Sequence, residues 1–159
     1  MSAITLDRID RKILSELMQD ATLPVAQLAE RVGLSQTPCW KRVQKLEAAN
    51  IITGRVALVD PALIGLGLSV FVEIEAADHS QEWREAFAAV VSGYPEITEA
   101  HRMAGEVDYL LKVVVPDMAA YDAVYLDLTQ RLPCRNVTSK FSMERIKATT
   151  LLPIDTVSA

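Results

Sequence analysis

The sequence predicts an α+β protein with an N-terminal winged helix-turn-helix and a C-terminal ferredoxin-like unit of order βαββαβ. Residues 6–48 contain three stretches with apolar residues at helical spacing, and a tight turn with glycine separates the second from the third. From residue 68 the pattern changes to β-rich segments that alternate with two amphipathic helices. The segment DPALIGLG interrupts any regular pattern, so we place domains at 1–59 and 68–159 with a linker at 60–67.

The composition indicates two halves of different charge. Half of the 159 residues are hydrophobic, the net charge is −5, and no apolar run reaches the roughly 18 residues of a membrane span. Residues 1–60 carry eight Lys/Arg against seven Asp/Glu, and the remainder carries eight against fourteen. An acidic chain can still bind nucleic acid, because the local electrostatic field at the contact face, and not the net charge of the chain, attracts the phosphates. No signal peptide is recognisable and the two cysteines lie far apart, so we expect a cytoplasmic protein.

Three helices follow from local signals in the first domain. Asp7 is a suitable N-cap for LDRIDRKILSELMQD, in which apolar residues recur at helical spacing. Pro24 suits the first turn of PVAQLAERV, and Gly33 ends that helix. A third helix begins after Ser35. The segment IITGRVALV then predicts two short strands around Thr53-Gly54, which would form the wing.

The third helix is the candidate recognition helix. On a helical wheel Cys39, Val43 and Leu46 share one side and should face the core, and Arg42 lies between the faces. The outward side carries hydroxyl, amide and ammonium groups, which can donate to base edges or phosphates. A solvated cationic face is the alternative, and Trp40 could contact DNA or pack against the wing. The candidate DNA-contacting residues are Gln36, Thr37, Trp40, Lys41, Arg42, Gln44, Lys45 and Arg55.

The second domain has strand and helix patterns in the order β-α-β-β-α-β. The strand candidates are LSVFVEIEA, EITEAHRMA, VDYLLKVVVP and a final long strand within 136–152; the helices are SQEWREAFAAVVSGYP and DMAAYDAVYLDLTQRL, the latter capped by Asp117. Helices on one side of an antiparallel sheet leave its other face bare. Because YLLKVVV is apolar at positions that face both ways, we expect an identical sheet to cover that face in a homodimer.

The residues offer little for catalysis. His79 and His101 are the only histidines and lie in no nucleophile-base or metal-binding motif, so we predict no catalytic residue, no metal and no cofactor. The turn GEVDY places Glu106 and Asp108 together, which could serve acid-base chemistry, accept hydrogen bonds from a bound ammonium, or simply be solvated. The alternative function is a stand-alone ferredoxin-like dimer that binds an amino acid or acts as an enzyme.

Four segments stand in one order along nearly the whole chain: LDRIDRKIL, QLAERVGLSQTPCWKRVQKLE, IITGRVALVDP and MAGEVDYLLKV. Together they resemble the Lrp/AsnC family, the feast/famine transcriptional regulators of bacteria and archaea. The resemblance implies a DNA-binding winged helix-turn-helix for double-stranded DNA and a C-terminal ligand-sensing (RAM) domain. It further implies homodimers that assemble to octamers, with an amino acid effector bound between dimers.

The resemblance also assigns residues to an effector site. The family's ligand turn falls on AGEVDY, and further ligand contacts come from the last strand. The implied effector-binding residues are Gly105, Glu106, Asp108, Tyr109, Phe141 and Ser142. TPCWKR with IGLGL and HSQEW resembles a branch that includes cysteine-responsive activators of cysteine-degrading genes, which makes cysteine a candidate effector. One departure is LPCRNV, where Cys134 replaces a glycine found in many members, so the resemblance does not establish the family's usual turn before the last strand.

Overall fold

A computed structural model describes residues 5–154 of the chain and divides it into two compact units. The N-terminal unit comprises residues up to Leu58 together with the chain from Lys147, and the sheet unit comprises Val59–Ile146. Within residues 5–154, no helix combines the length and apolarity needed to cross a membrane. The elements are α1 (Arg8–Gln19), α2 (Val25–Val32), α3 (Gln36–Ala48), a 3-10 turn (Ala62–Ile64), β1 (Leu68–Ala76), α4 (Gln81–Ser92), β2 (Ile97–Arg102), β3 (Tyr109–Val115), α5 (Met118–Arg131) and β4 (Cys134–Phe141).

The three helices of the N-terminal unit lie where the sequence predicts them, except that Pro24 is the N-cap of α2 and not part of its first turn. The Asp7 carboxylate accepts hydrogen bonds of 2.8 Å from the backbone N–H groups of Ile9 and Asp10, and the Asp10 carboxylate accepts from the Asp7 N–H. This reciprocal capping box confirms Asp7 as the N-cap of α1. Gly33 ends α2 with φ of 76°, a conformation that glycine adopts without steric cost. Ser35 precedes α3, although its side chain makes no capping hydrogen bond.

The predicted wing hairpin around Thr53-Gly54 is wrong, since residues 51–60 contain no strand. The segment that should form its first arm turns back onto α3 instead. The N–H groups of Ile51 and Ile52 both donate to the Leu46 carbonyl, at 3.0 and 3.2 Å, and both side chains pack against the helical core. Its intended partner, RVALV, therefore has no strand to pair with in the described chain, and Val56 is 81% exposed. The helix-turn-helix thus carries no wing strands.

The sheet unit has the predicted βαββαβ order. Its four strands are antiparallel in the order β2-β3-β1-β4, so β1 is paired on both sides. The alternate residues of β1 and β3 that point to the helices are buried against α4 and α5. The Asp117 side chain accepts from the Ala120 N–H and caps α5 as predicted. The last strand ends at Phe141.

The sheet face without helices mixes apolar and charged side chains. Phe71, Leu110 and Val114 are partly exposed on this face, since they alternate with the buried positions of β1 and β3. Ion pairs stand among them: Lys112 lies 2.6 Å from Glu99, and Lys140 lies 2.5 Å from Glu73. The face is therefore less apolar than YLLKVVV alone predicts.

The segment from Lys147 packs with the N-terminal unit, whereas the sequence placed it in the second domain. The Arg11 guanidinium donates to the Ile154 carbonyl at 2.6 Å. The Thr150 hydroxyl donates to the Met18 carbonyl at 3.3 Å, and the Ile154 side chain packs against the helical core. The helical core, which the sequence attributed to residues before 60, therefore recruits an apolar side chain from the other end of the described chain.

We expect Ile154→Ala to lower the free energy of unfolding of the N-terminal unit by about 1 kcal/mol, because a half-buried aliphatic group is lost from its core. Met143→Ala is the matched control, since Met143 is fully exposed nearby in sequence. Urea denaturation followed by helical circular dichroism measures both variants. Equal stabilities of the two variants would contradict a supporting role for this segment.

Candidate functional site

The outward face of α3 is formed as the helical wheel predicts. Cys39, Val43 and Leu46 are buried in the three-helix core. The exposed side chains on the opposite side form a polar stripe, which we call the α3 stripe: Gln36, Thr37, Trp40, Lys41 and Gln44. Lys45 is also exposed, beside this stripe. Neither Lys41 nor Lys45 forms an ion pair with a described residue, so both ammonium groups are available to phosphate groups.

Trp40 occupies a shallow hollow at the start of the stripe. Half of its surface is exposed, and Val25, Gln36 and Thr37 line the hollow with it. Trp40 is absent from the buried cluster of the N-terminal unit, so its indole is not part of the core. Trp40 cannot pack against a wing hairpin, because residues 51–60 form no strands.

Arg42 is turned toward α1 and is held by two carboxylates. Its guanidinium lies 2.6 Å from the Asp7 carboxylate and 2.7 Å from that of Asp10, whose side chain is only 3% exposed. The hydrogen bonds to Asp7 and Asp10 raise the pKa of Arg42. The Asp10 backbone N–H and then the Arg42 guanidinium lower the pKa of Asp7. Arg42 therefore serves as a tie between α1 and α3, and its side chain is separated from the exposed α3 stripe.

Glu47 engages two further candidates near the end of α3. Arg55 lies 2.9 Å from one Glu47 oxygen, and the Gln44 amide donates to the other at 2.9 Å. These contacts are exposed, where such pairs are weak and exchange readily with other partners. Gln44 and Arg55 can thus be released to DNA at small cost, unlike Arg42.

The turn 103–108 is built by backbone contacts and by Asp108. Gly105 has φ of 144°, which favours glycine, and no atom lies within 4 Å of the position that a Cβ would occupy. The Met103 N–H donates to the Asp108 carbonyl, and the Asp108 N–H donates to the Ile74 carbonyl. The Asp108 carboxylate accepts from the Ala76 N–H at 2.8 Å. Asp108 thus fastens the turn to the end of β1 and has a structural role.

Glu106 differs from Asp108 in having no partner. Its side chain is exposed, and it forms no hydrogen bond or ion pair within the described residues. Of the two carboxylates in the turn, Glu106 is the one free to pair with an ammonium group.

The remaining candidates do not share one location. Tyr109 is 7% exposed, and its ring lies 4.1 Å from that of Phe87, within the core beneath α4. Phe141 is exposed and packs edge-to-face against Tyr121. It pairs with Val70 near the start of β1, whereas Asp108 binds Ala76 at its end. These points lie about 20 Å apart along the strand, so one subunit does not bring them together.

His79, which is not among the predicted site residues, is a neighbour of the turn. Its Nδ1 lies 3.6 Å from the Asp108 carboxylate. The antiparallel pairing of Ile74 with Tyr109 places the end of β1, and hence the loop after it, beside the start of β3. Strand order alone would have indicated this contact, because β1 and β3 are neighbours in a βαββαβ sheet.

The cysteines and potential metal ligands show no reactive arrangement in residues 5–154. Burial raises the pKa of Cys39 and of Cys134, which favours the unreactive thiol in both cases. No group of three His, Cys, Asp or Glu residues in this part of the chain lies close enough to hold a metal ion.

A helix-turn-helix that exposes a polar stripe with free ammonium groups, followed by a separate α/β unit, defines a helix-turn-helix DNA-binding protein. Comparisons with known proteins specify the family. The AsnC-type helix-turn-helix domain matches residues 6–47, and the Lrp/AsnC ligand binding domain matches residues 69–152. The chain therefore belongs to the Lrp/AsnC family of transcriptional regulators and binds DNA.

Relatives resemble the chain over nearly its whole length. The DNA-binding transcriptional activator DecR of Escherichia coli is 52% identical over 94% of this chain and 99% of its own. An AsnC family transcriptional regulator from Agrobacterium tumefaciens is 55% identical, with a TM-score of 0.90 over 94% of this chain and 98% of its own. A transcriptional regulator of Neisseria meningitidis, solved in complex with L-Met, is 38% identical, with a TM-score of 0.89 over 95% and 98%.

We expect Arg42→Met to destabilise the N-terminal unit by about 2–4 kcal/mol, because it leaves the buried Asp10 carboxylate without its cation. Lys41→Met, one residue away on the exposed face, should change stability by less than about 0.5 kcal/mol. Urea unfolding of both variants measures the difference. An Arg42→Met variant with unchanged stability and weakened DNA binding would show instead that Arg42 contacts DNA.

We expect Asp108→Ala to lower the stability of the sheet unit by about 1–3 kcal/mol, since the Ala76 N–H loses its acceptor. Glu106→Ala in the same turn is the control and should stay within about 0.5 kcal/mol. Unfolding can be followed through Trp83 fluorescence in a Trp40→Phe background, because the chain has two tryptophans and Trp83 is the one in the sheet unit. Equal stability of the two variants would argue against the structural role of Asp108.

Proposed function

We propose that the protein is a cytoplasmic regulator whose DNA affinity or assembly responds to a small amino acid bound between dimers. The supporting observation is the separation of the effector candidates along β1. Gly105 and Glu106 lie in the turn at one end of the sheet, and Phe141 and Ser142 lie at the other. One small ligand can touch both groups only if they come from different subunits. A change in how the subunits contact each other is then coupled to ligand binding.

DNA binding in this proposal uses the α3 stripe. Lys41 and Lys45 contact phosphates, and the hydroxyl, amide and indole groups of the stripe contact base edges in the major groove. Arg55 contributes after it exchanges Glu47 for a phosphate. Two copies of the helix in a dimer read two half-sites related by two-fold symmetry. Residues 60–67, with the 3-10 turn Ala62–Ile64, form a linker between the two domains.

The open face of the sheet holds the dimer together. Phe71, Leu110 and Val114 provide apolar contact area, and the exposed lysine and glutamate side chains among them can pair across a two-fold axis. Such isologous contacts bury the same patch on both subunits. Further contacts between dimers, at the ends of the sheet, create the effector sites and lead to an octamer.

The ligand is an α-amino acid in this proposal. The Glu106 carboxylate accepts from its ammonium group, and the open backbone at Gly105 lets the ligand approach closely. Amino acids also appear in the names of relatives, such as the L-Met complex from Neisseria and a glutamate uptake regulatory protein of Zymomonas mobilis that is 46% identical over 96% of this chain and 93% of its own. Cysteine is the first effector to test, because TPCWKR, IGLGL and HSQEW resemble the cysteine-responsive branch.

We expect Glu106→Gln to raise the cysteine concentration needed for a change in DNA binding by at least about tenfold, through loss of a charge-assisted bond. Phe141→Ala should act similarly, while the exposed Glu82→Gln serves as the control and should respond like the parent. DNA titrations with and without cysteine, repeated with the other amino acids, measure the response. DNA binding without effector should be unchanged in all three variants.

A mixture of the Glu106→Gln and Phe141→Ala proteins tests the shared site directly. In mixed oligomers some sites combine an unaltered turn from one subunit with an unaltered Phe141 from another, so part of the response should return. A site within one subunit gives no such recovery. If neither variant changes the response, the effector binds elsewhere.

A further inference from the structure

Trp40 is an unusual side chain for the stripe in which it lies. The other tryptophan, Trp83, is buried and donates its indole N–H to the Pro133 carbonyl at 2.8 Å. Trp40 exposes half of its surface, and the hollow beside it is lined by apolar Val25 and by Thr37, which carries a methyl group. An exposed apolar group on a DNA-contacting surface is buried when the complex forms.

The polar residues around Trp40 narrow what the stripe can recognise. Arginine is the residue that most often reads guanine, but Arg42 is held by Asp7 and Asp10. The N-terminal half of α3, which enters the groove most deeply in helix-turn-helix proteins, therefore presents an indole and a threonine methyl beside the Gln36 amide and the Lys41 ammonium.

Only one standard base offers an apolar group in the major groove. Thymine carries a 5-methyl group there, while the other bases present hydrogen-bond donors and acceptors. We propose that Trp40, supported by Val25 and Thr37, reads thymine methyl groups and is a specificity-determining residue for thymine-containing half-sites. This inference rests on the proposed use of the α3 stripe as the DNA-reading surface.

The size of the effect follows from the burial of one methyl group. Burying one such group contributes about 0.8 kcal/mol, which is about fourfold in affinity. A dimer that makes the contact in both half-sites gains about fifteenfold from the two methyl groups together.

The experiment replaces thymine by uracil, which removes the methyl group and leaves the hydrogen bonds of the base pair intact. The full-length protein first selects tight-binding duplexes from a random pool. Each thymine of the selected duplex is then replaced in turn, and affinities are measured by fluorescence anisotropy for the parent, Trp40→Ala, Trp40→Phe and Lys41→Ala proteins. Circular dichroism verifies that the variants are folded.

The parent should bind more weakly, by about fourfold per symmetric half-site, when uracil replaces a thymine at the position that Trp40 contacts. Trp40→Ala should lose this penalty, and its affinity for the uracil duplex should match that of the parent within about twofold. Trp40→Phe should keep part of the penalty, since its ring still offers an apolar contact. Lys41→Ala should weaken binding to both duplexes equally and lower the salt dependence.

Either of two results would overturn the inference. The first is that the parent loses no affinity when uracil replaces any thymine, and the second is that Trp40→Ala loses as much affinity as the parent does. If Lys41→Ala still loses affinity in either case, the α3 stripe reads DNA and only the thymine contact is wrong. If Lys41→Ala and Trp40→Ala both bind every duplex like the parent, the proposed reading surface itself is wrong.

Discussion

The central position of β1 constrains the whole sheet unit. Because β1 pairs with β3 on one side and with β4 on the other, both antiparallel, the turn before β3 and the end of β4 must lie at opposite ends of the same strand. The distance between Asp108 and Phe141 is therefore fixed by strand geometry and does not depend on side-chain conformation. A ligand that contacts both ends of β1 at once requires a second subunit, and ligand binding is then coupled to the association of subunits.

In the N-terminal unit the corresponding constraint is the contact of Arg42 with Asp7 and Asp10. The same two aspartates that cap the start of α1 also hold the Arg42 guanidinium on α3, so the beginning of one helix is tied to the middle of another. This contact acts together with the burial of Cys39 and Val43, which turns the polar stripe outward.

The features that the sequence predicts correctly are those decided over a few residues. The cap at Asp7, the stop at Gly33 and the buried side of α3 follow from neighbours within one or two helical turns. The role of Arg42 escaped prediction because its partners lie more than thirty residues earlier. The prediction of the wing was wrong for a related reason. Ile51 and Ile52 pack against the helical core, and composition alone does not reveal this contact. In the effector turn, the difference between Glu106 and Asp108 is a hydrogen bond. The Asp108 carboxylate accepts from the Ala76 N–H on β1, a contact between residues that are distant in sequence.

The C-terminal segment makes the N-terminal unit discontinuous in sequence, and this affects the order in which the protein is completed during translation. The ribosome delivers α1, α2 and α3 first, but Ile154 emerges only after the entire sheet unit has been synthesised. The DNA-binding unit of a nascent chain thus lacks part of its core until its sensor has been made. A chain truncated within the sheet unit would therefore lack the Ile154 side chain from its helical core, and its DNA-binding unit would be less stable.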